Sequence, residues 1–162
     1  SKYGIDVLDN NINLTLLKSP LAPDMTADRG RQEFTYAFYF WNSPLIDSGL
    51  VQEAYQLNVP VKVIEGNAGS RSLFSVDQPN VILDTIKPPE DAEKGKLVLR
   101  LYESMGTRTH LKLSSSLPVK AVKYANMLEQ VEGDADFKDG VIDLEFGPFE
   151  IITLIVETEY KA

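Results

Sequence analysis

A single histidine, His110, stands in a chain of 162 residues that contains no cysteine. A zinc site built around it would have to take its other ligands from carboxylates. Thiolate ligation and a cysteine nucleophile are both closed to this sequence. A Ser-His-Asp triad needs a serine within reach of that one ring, and no Gly-x-Ser-x-Gly elbow presents one. His110 follows Thr109 and leads into Leu111-Lys112-Leu113, so it reads as a strand residue, exposed or partly packed. Carboxylates are plentiful, with 24 Asp and Glu, and pairs spaced for glycoside hydrolysis will arise by chance. Asp134-Ala135-Asp136, followed by Asp139, is acidic enough for a calcium loop. It lacks the alternating oxygen ligands and terminal glutamate of an EF-hand, and a solvated turn is the better description. Gly66 and Gly69 are followed neither by Lys-Ser nor by a helical pattern, so no phosphate loop forms there. No residue emerges as catalytic.

The most distinctive stretch is Ala27-Asp28-Arg29-Gly30-Arg31-Gln32-Glu33-Phe34-Thr35-Tyr36, where a charged loop holding a glycine runs straight into an apolar strand pattern. Two readings stand side by side. In one, Asp28 pairs with Arg29 or Arg31 as a surface effect well under about 1 kcal/mol. In the other, an arginine presents its planar donor fork to a ligand or partner oxygen. Composition does not choose between them. Aromatic side chains on a β-surface can stack on sugar rings. The one tryptophan, Trp41, ends the aromatic run out of phase with Phe34, Phe38 and Phe40, and reads as a core or interdomain residue. No paired aromatic platform is visible.

The elements that would position these residues are strands. Ile12, Leu14 and Leu16 alternate with polar residues, as do Phe34, Tyr36, Phe38 and Phe40 across Thr35, Ala37 and Tyr39. Val59, Val61 and Val63 form a short run whose Pro60 suggests an edge. Leu97, Leu99 and Leu101, then Leu111 and Leu113, then Ile142, Leu144 and Phe146, repeat the period of two. Phe149 to Val156 is apolar on both faces and predicts a central strand covered on both sides. Met105-Gly106-Thr107 reads as a hairpin connection, and Asp139-Gly140 as a turn. A two-turn helix is expected over Gly49 to Leu57, with Leu50, Ala54 and Leu57 on its apolar face and Gln52 and Glu53 away from it. Residues 65–72 are rich in Gly and Ser and serve as a linker, which places a boundary near residue 68.

Bulk properties narrow the function classes. The formal charge of −8 argues against a polyanion or an anionic membrane as partner. No apolar stretch approaches the roughly 20 residues that span a bilayer. Ser1-Lys2-Tyr3-Gly4 reads as an internal start, not a natural N-terminus.

The charged stretch 27–37 resembles the C-terminal signature of glycoside hydrolase family 38, the α-mannosidases. Likeness continues through Tyr3-Gly4-Ile5-Asp6-Val7 and Leu14 to Pro20. It extends through Glu53 to Asn58, Asn80 to Lys87, Leu97 to Glu103 and Pro148 to Leu154, in the family's order. Gln32 replaces a frequent histidine, and Phe40-Trp41 a frequent Pro-His, so any role of those imidazoles is not carried over.

The resemblance implies an all-β, antiparallel sandwich chain. Residues 1–68 would be the C-terminal part of the large mannosidase β-sandwich, and 69–162 a smaller, terminal immunoglobulin-like sandwich. The parent would be a retaining α-mannosidase acting on terminal α-mannosides. Its N-terminal catalytic domain would hold the zinc and the aspartate nucleophile and would be the partner of this chain. The chain itself would be inactive, with no cofactor of its own and no nucleic acid or membrane partner. Arg29, oriented by Asp28, matches best the arginine beside a glycine that reaches the substrate pocket in some relatives. Location in the cytoplasm is the expectation from the missing cysteines and signal. An exposed apolar patch is expected where the parent continues, covered by self-association or crystal packing. The alternative is a stand-alone carbohydrate-binding or interaction β-sandwich.

Overall fold

The computed structural model describes residues 3–67, 69–91 and 93–159, and the chain separates into two compact units, residues 1–40 and 41–162. Among the described residues, the first unit contains one hairpin. Strand β1 (Ile5–Leu8) pairs antiparallel with β2 (Asn11–Leu14), with Ile5 opposite Leu14 and Leu8 opposite Asn11. Asp9 turns the chain at φ 53°, a left-handed conformation that Asp tolerates through local hydrogen bonding. Ile5, Val7, Leu8 and Ile12 are all exposed, and no described residue of this unit is buried.

The strand expected over Phe34–Phe40 does not form. Among the described residues, the main chains of Phe34 to Phe38 and of Phe40 enter no ladder. Alternation specifies which face a side chain takes, but a strand exists only when a neighbour pairs with its N–H and C=O groups. The side-chain alternation survives. Tyr36 and Phe38 meet edge to face at 6.4 Å between centroids, and Phe38 stacks on Phe40 at 6.5 Å. That spacing is close to the ~6.7 Å between i and i+2 on a pleated strand.

In the second unit, a 3-10 turn (Leu45–Asp47) leads into helix α1 (Leu50–Asn58). Ser48 joins them: its hydroxyl donates to Leu45 O at 2.7 Å and accepts from Leu50 N at 3.1 Å. The helix lies where the sequence placed it, but its working face differs. Gln52 Nε2 donates to Pro79 O and Tyr55 Oη donates to Asp84 Oδ1 at 2.6 Å, while Ala54 and Leu57 are exposed. Long polar side chains at i and i+3 reach the sheet better than the short apolar set does. The expected strand at Val59–Val63 is also absent, and all three valines point into solvent. Pro60 has no N–H to give to a ladder.

Two antiparallel sheets make up the rest. One runs in the order β3 (Phe74–Val76), β6 (Thr109–Ser115), β10 (Val141–Phe146), β9 (Phe137–Lys138). The other runs β4 (Val81–Lys87), β5 (Lys96–Glu103), β11 (Ile151–Thr158), β7 (Val119–Ala125), β8 (Val131–Asp134). Leu99, Leu101, Leu111, Leu113, Ile142, Leu144 and Leu154 meet in one core between them, fully buried or nearly so. This is the antiparallel sandwich that the alternating runs imply.

Strand β11 is central and covered on both faces, as its sequence predicts. Ile152, Leu154 and Val156 enter the main core, and Ile155 packs with Val98 and Ala125 on the other side. A polar strap spans that outer face. Glu129 takes Lys87 Nζ at 2.5 Å and Arg100 Nη2 at 3.4 Å on one oxygen, and Glu90 N at 2.7 Å on the other. The lysine first, then the Glu90 N–H, hold the Glu129 carboxyl below its usual range. Asp139 (φ 51°) and Gly140 (φ 82°) form the turn between β9 and β10, both in the left-handed region that a two-residue hairpin needs.

The Met105-Gly106-Thr107 connection departs from expectation. Strands β5 and β6 lie in different sheets, so the segment crosses the sandwich and closes no hairpin.

Candidate functional site

The loop that carries Asp28 and Arg29 is built by consecutive turns. Asp24 Oδ1 accepts from Thr26 N at 2.8 Å and Thr26 Oγ1 at 2.7 Å, an Asx turn. Ala27 N then donates to Asp24 O at 3.3 Å, and Arg29 N to Thr26 O at 3.2 Å. Asp28 sits at φ 60° with its Oδ2 receiving Tyr3 Oη and, at 3.0 Å, Ser19 N. The carboxylate thus ties together three segments far apart in sequence. Gly30 follows at φ 92°, and a Cβ there would meet nothing within 4 Å, so the glycine answers to backbone conformation and not to space.

Neither arginine pairs with Asp28 among the described residues. Arg31 binds Glu33 at 2.5 Å on the exposed surface, a contact worth little in water. Arg29 is exposed, with its guanidinium free of any ion pair among the described residues. Asp28 therefore positions the backbone that presents Arg29, and does so through Tyr3 and Ser19.

A second polar centre lies in the sandwich, at Glu103, a position that no catalytic or metal-binding motif of the sequence marks. Its side chain is 1% exposed at the end of β5. Oε1 accepts from Asn80 Nδ2 (2.9 Å), Met105 N (2.8 Å) and Thr107 Oγ1 (3.3 Å). Oε2 accepts from Gly106 N (2.7 Å), Thr107 N (3.1 Å) and Phe149 N (3.0 Å). Burial pushes this carboxyl up, but the donors from Phe149, Asn80, Met105 and Gly106 outweigh it and hold it down to about 2. An acid with every lone pair so occupied cannot exchange a proton with a substrate near neutral pH. Its role is to anchor the 105–107 crossing and the 147–150 turn to one point. The available signal was phase: Leu97, Leu99 and Leu101 point inward, and position 103 continues that face with an acid.

A third cluster docks α1. Tyr102 Oη donates to Tyr55 Oη at 3.4 Å, which donates on to Asp84. Tyr55 is raised, first by its hydrogen bond to Asp84, and Asp84 is lowered by the same bond. Tyr55→Phe is expected to cost about 1 kcal/mol. It should also raise the Asp84 pKa toward the ordinary aspartate range, readable by NMR titration. An unmoved Asp84 would show that the hydroxyl does not serve this carboxylate in solution.

The remaining candidates separate. His110 is exposed on β6 beside Asp143, with Nε2 to Oδ1 at 3.4 Å. Asp134, Asp136 and Asp139 form no converging set, and among the described residues no three His, Asp or Glu side chains come together as a metal site. No described helix is long and apolar enough to cross a membrane.

Comparison with known proteins gives a consistent result. Residues 80–154 match the family described as "Glycosyl hydrolases family 38 C-terminal beta sandwich domain". The chain is 39% identical to human alpha-mannosidase 2C1, covering 96% of this chain and 16% of that protein. It is 33% identical to alpha-mannosidase G of Dictyostelium discoideum, over 94% of this chain and 15% of the relative. Against alpha-mannosidase of Saccharomyces cerevisiae it is 30% identical, over 93% and 16%.

Proposed function

Taking as premise that this chain is a C-terminal region of the family 38 α-mannosidases, we propose that it is the non-catalytic end of such an enzyme. In this reading the parent hydrolyses terminal α-mannosides with retention, in the cytoplasm. The observation that carries it is the shape of the match: nearly all of this chain aligns, yet it spans only about a sixth of each relative. Residues 1–68 would belong to a large sandwich that continues in the parent, and 69–162 to the smaller C-terminal sandwich domain of the family. The family's zinc and nucleophile belong to the absent catalytic part, and no converging ligand set among the described residues offers an alternative seat for the metal.

Within that enzyme the 24–30 loop contributes to the substrate pocket. Asp28 fixes the turn, and Arg29 offers its donors to a sugar or catalytic-domain oxygen. An exposed arginine with no ion pair among the described residues, on a loop built by so many internal bonds, fits a residue held ready for a contact outside this chain.

The test is hydrolysis of a chromogenic α-mannoside. The 162-residue chain alone should be inactive and the full-length polypeptide active. Arg29→Ala in the full-length enzyme should lower kcat/KM about 10-fold or more, the effect of losing a charged hydrogen bond. An unaffected variant would leave this loop as scaffold. Activity in the short chain would overturn the whole reading.

A further inference from the structure

Among the described residues of unit 1–40 none is buried, so no apolar core of that unit holds the 24–30 loop in place. Polar bonds do so instead, and they converge on one carboxylate. Asp28 Oδ2 receives the Tyr3 phenol and, at 3.0 Å, Ser19 N. These two donors flank the β1–β2 hairpin, whose base is closed by Thr15 N donating to Gly4 O at 3.2 Å. Asp28 thus grips both arms of the hairpin, one through a side chain and the other through the main chain. The region it grips holds left-handed backbone at Ser19 (φ 47°), Asp28 (φ 60°) and Gly30 (φ 92°). The first two are not glycine, and such conformations persist only where the surroundings fix them. Arg29 lies between Asp28 and Gly30. Ser19 supplies a main-chain N–H, which any residue but proline could give. Of the two donors, only Tyr3 depends on its side chain.

We propose that Tyr3 is a positioning residue for the mannosidase reaction: its phenol locks Asp28 and, through Asp28, the backbone that presents Arg29 to the sugar. Tyr3 acts through the carboxylate and needs no contact with substrate. The inference rests on the reading above that Arg29 serves the substrate pocket. It gives the β1–β2 hairpin a role as well, as the mount on which this loop is fixed. A phenol donating to a carboxylate is a charge-assisted bond, one of the stronger kinds. Without it the loop samples geometries in which Arg29 misses its acceptor, and small misplacements of a positioning group cost rate.

The test compares the full-length polypeptide as wild type, Tyr3→Phe, Arg29→Ala and the double variant. Tyr3→Phe removes one oxygen and keeps the ring. It should lower kcat/KM for a chromogenic α-mannoside about 5-fold or more, in whichever of kcat and KM Arg29→Ala moves. In the Arg29→Ala background the same change should do little, because nothing is left to position. Hydrogen exchange followed by mass spectrometry gives a readout apart from activity. The 26–30 amides should exchange about 10-fold faster in Tyr3→Phe, with the 151–156 amides of β11 unchanged. A fully active Tyr3→Phe beside an impaired Arg29→Ala would overturn this inference alone. Additive losses in the double variant, or unchanged exchange at 26–30, would do the same. An unaffected Arg29→Ala, or an inactive wild type, would sink the underlying reading and this inference with it.

Discussion

Replacing Glu103 by alanine is expected to lower the stability of the 41–162 unit by about 3 kcal/mol, seen as a lower urea midpoint with little change in slope. The side chain is buried, and its removal orphans the amides of Met105, Gly106, Thr107 and Phe149 together. A pH signature separates this from simple loss of packing. The carboxyl drops from near 4.5 to about 2 on folding. A depressed acid stabilises fully above its unfolded value and loses that contribution as pH falls toward the folded value. The wild-type chain should therefore lose about 3 kcal/mol between about pH 5 and pH 2 from this group. Glu103→Gln keeps the shape but turns one acceptor into a donor facing three N–H groups. It should be destabilised at pH 7 and show a shallower acid limb, with Asp84 and Glu129 supplying what slope remains. An unchanged limb in Glu103→Gln would show that other carboxylates govern acid unfolding.

Leu154→Ala should cost about 2–5 kcal/mol, while Ile12→Ala in the same chain should stay within about 0.5 kcal/mol. Leu154 is 0% exposed on the central strand, where β5 and β7 flank it and the facing sheet leaves little room to collapse. Ile12 is 64% exposed on the hairpin. Two aliphatic residues with the same strand periodicity thus differ by roughly an order of magnitude in effect. Chemical denaturation of the two variants measures the difference directly. Comparable losses would mean that the hairpin has a covered face in solution.

Those paired cases show which parts of the fold were legible. The period of two placed Leu99, Leu101, Leu111, Leu113, Ile142 and Leu144 in the core, because each run finds its neighbour within this chain. The same period at 34–40 is met by the ring contacts of Tyr36, Phe38 and Phe40 but by no ladder, since pairing depends on a second strand that periodicity cannot supply. Helix α1 was visible as a helix, but its docking through Gln52 and Tyr55 was not. Helical spacing of apolar residues carries no information about hydroxyl and amide reach. At the candidate loop, residue types pointed to Asp28 and Arg29, while the partners Tyr3 and Ser19 lie too far off in sequence for any local pattern to join them. Glu103 was readable in principle, as a charge written into an inward phase.

The order β4-β5-β11-β7-β8 has a consequence for synthesis on the ribosome. Strand β11 is translated after every other strand of either sheet, yet it alone joins β5 to β7. Until residues 151–158 leave the exit tunnel, the larger sheet exists as two halves with open inner edges. Closure then requires contacts over long sequence separations, a slow class of event that leaves apolar edges waiting. A nascent chain stalled before Ile151 should therefore bind holdase chaperones far more than one stalled well beyond Thr158, and the last strand made becomes the step that commits the domain.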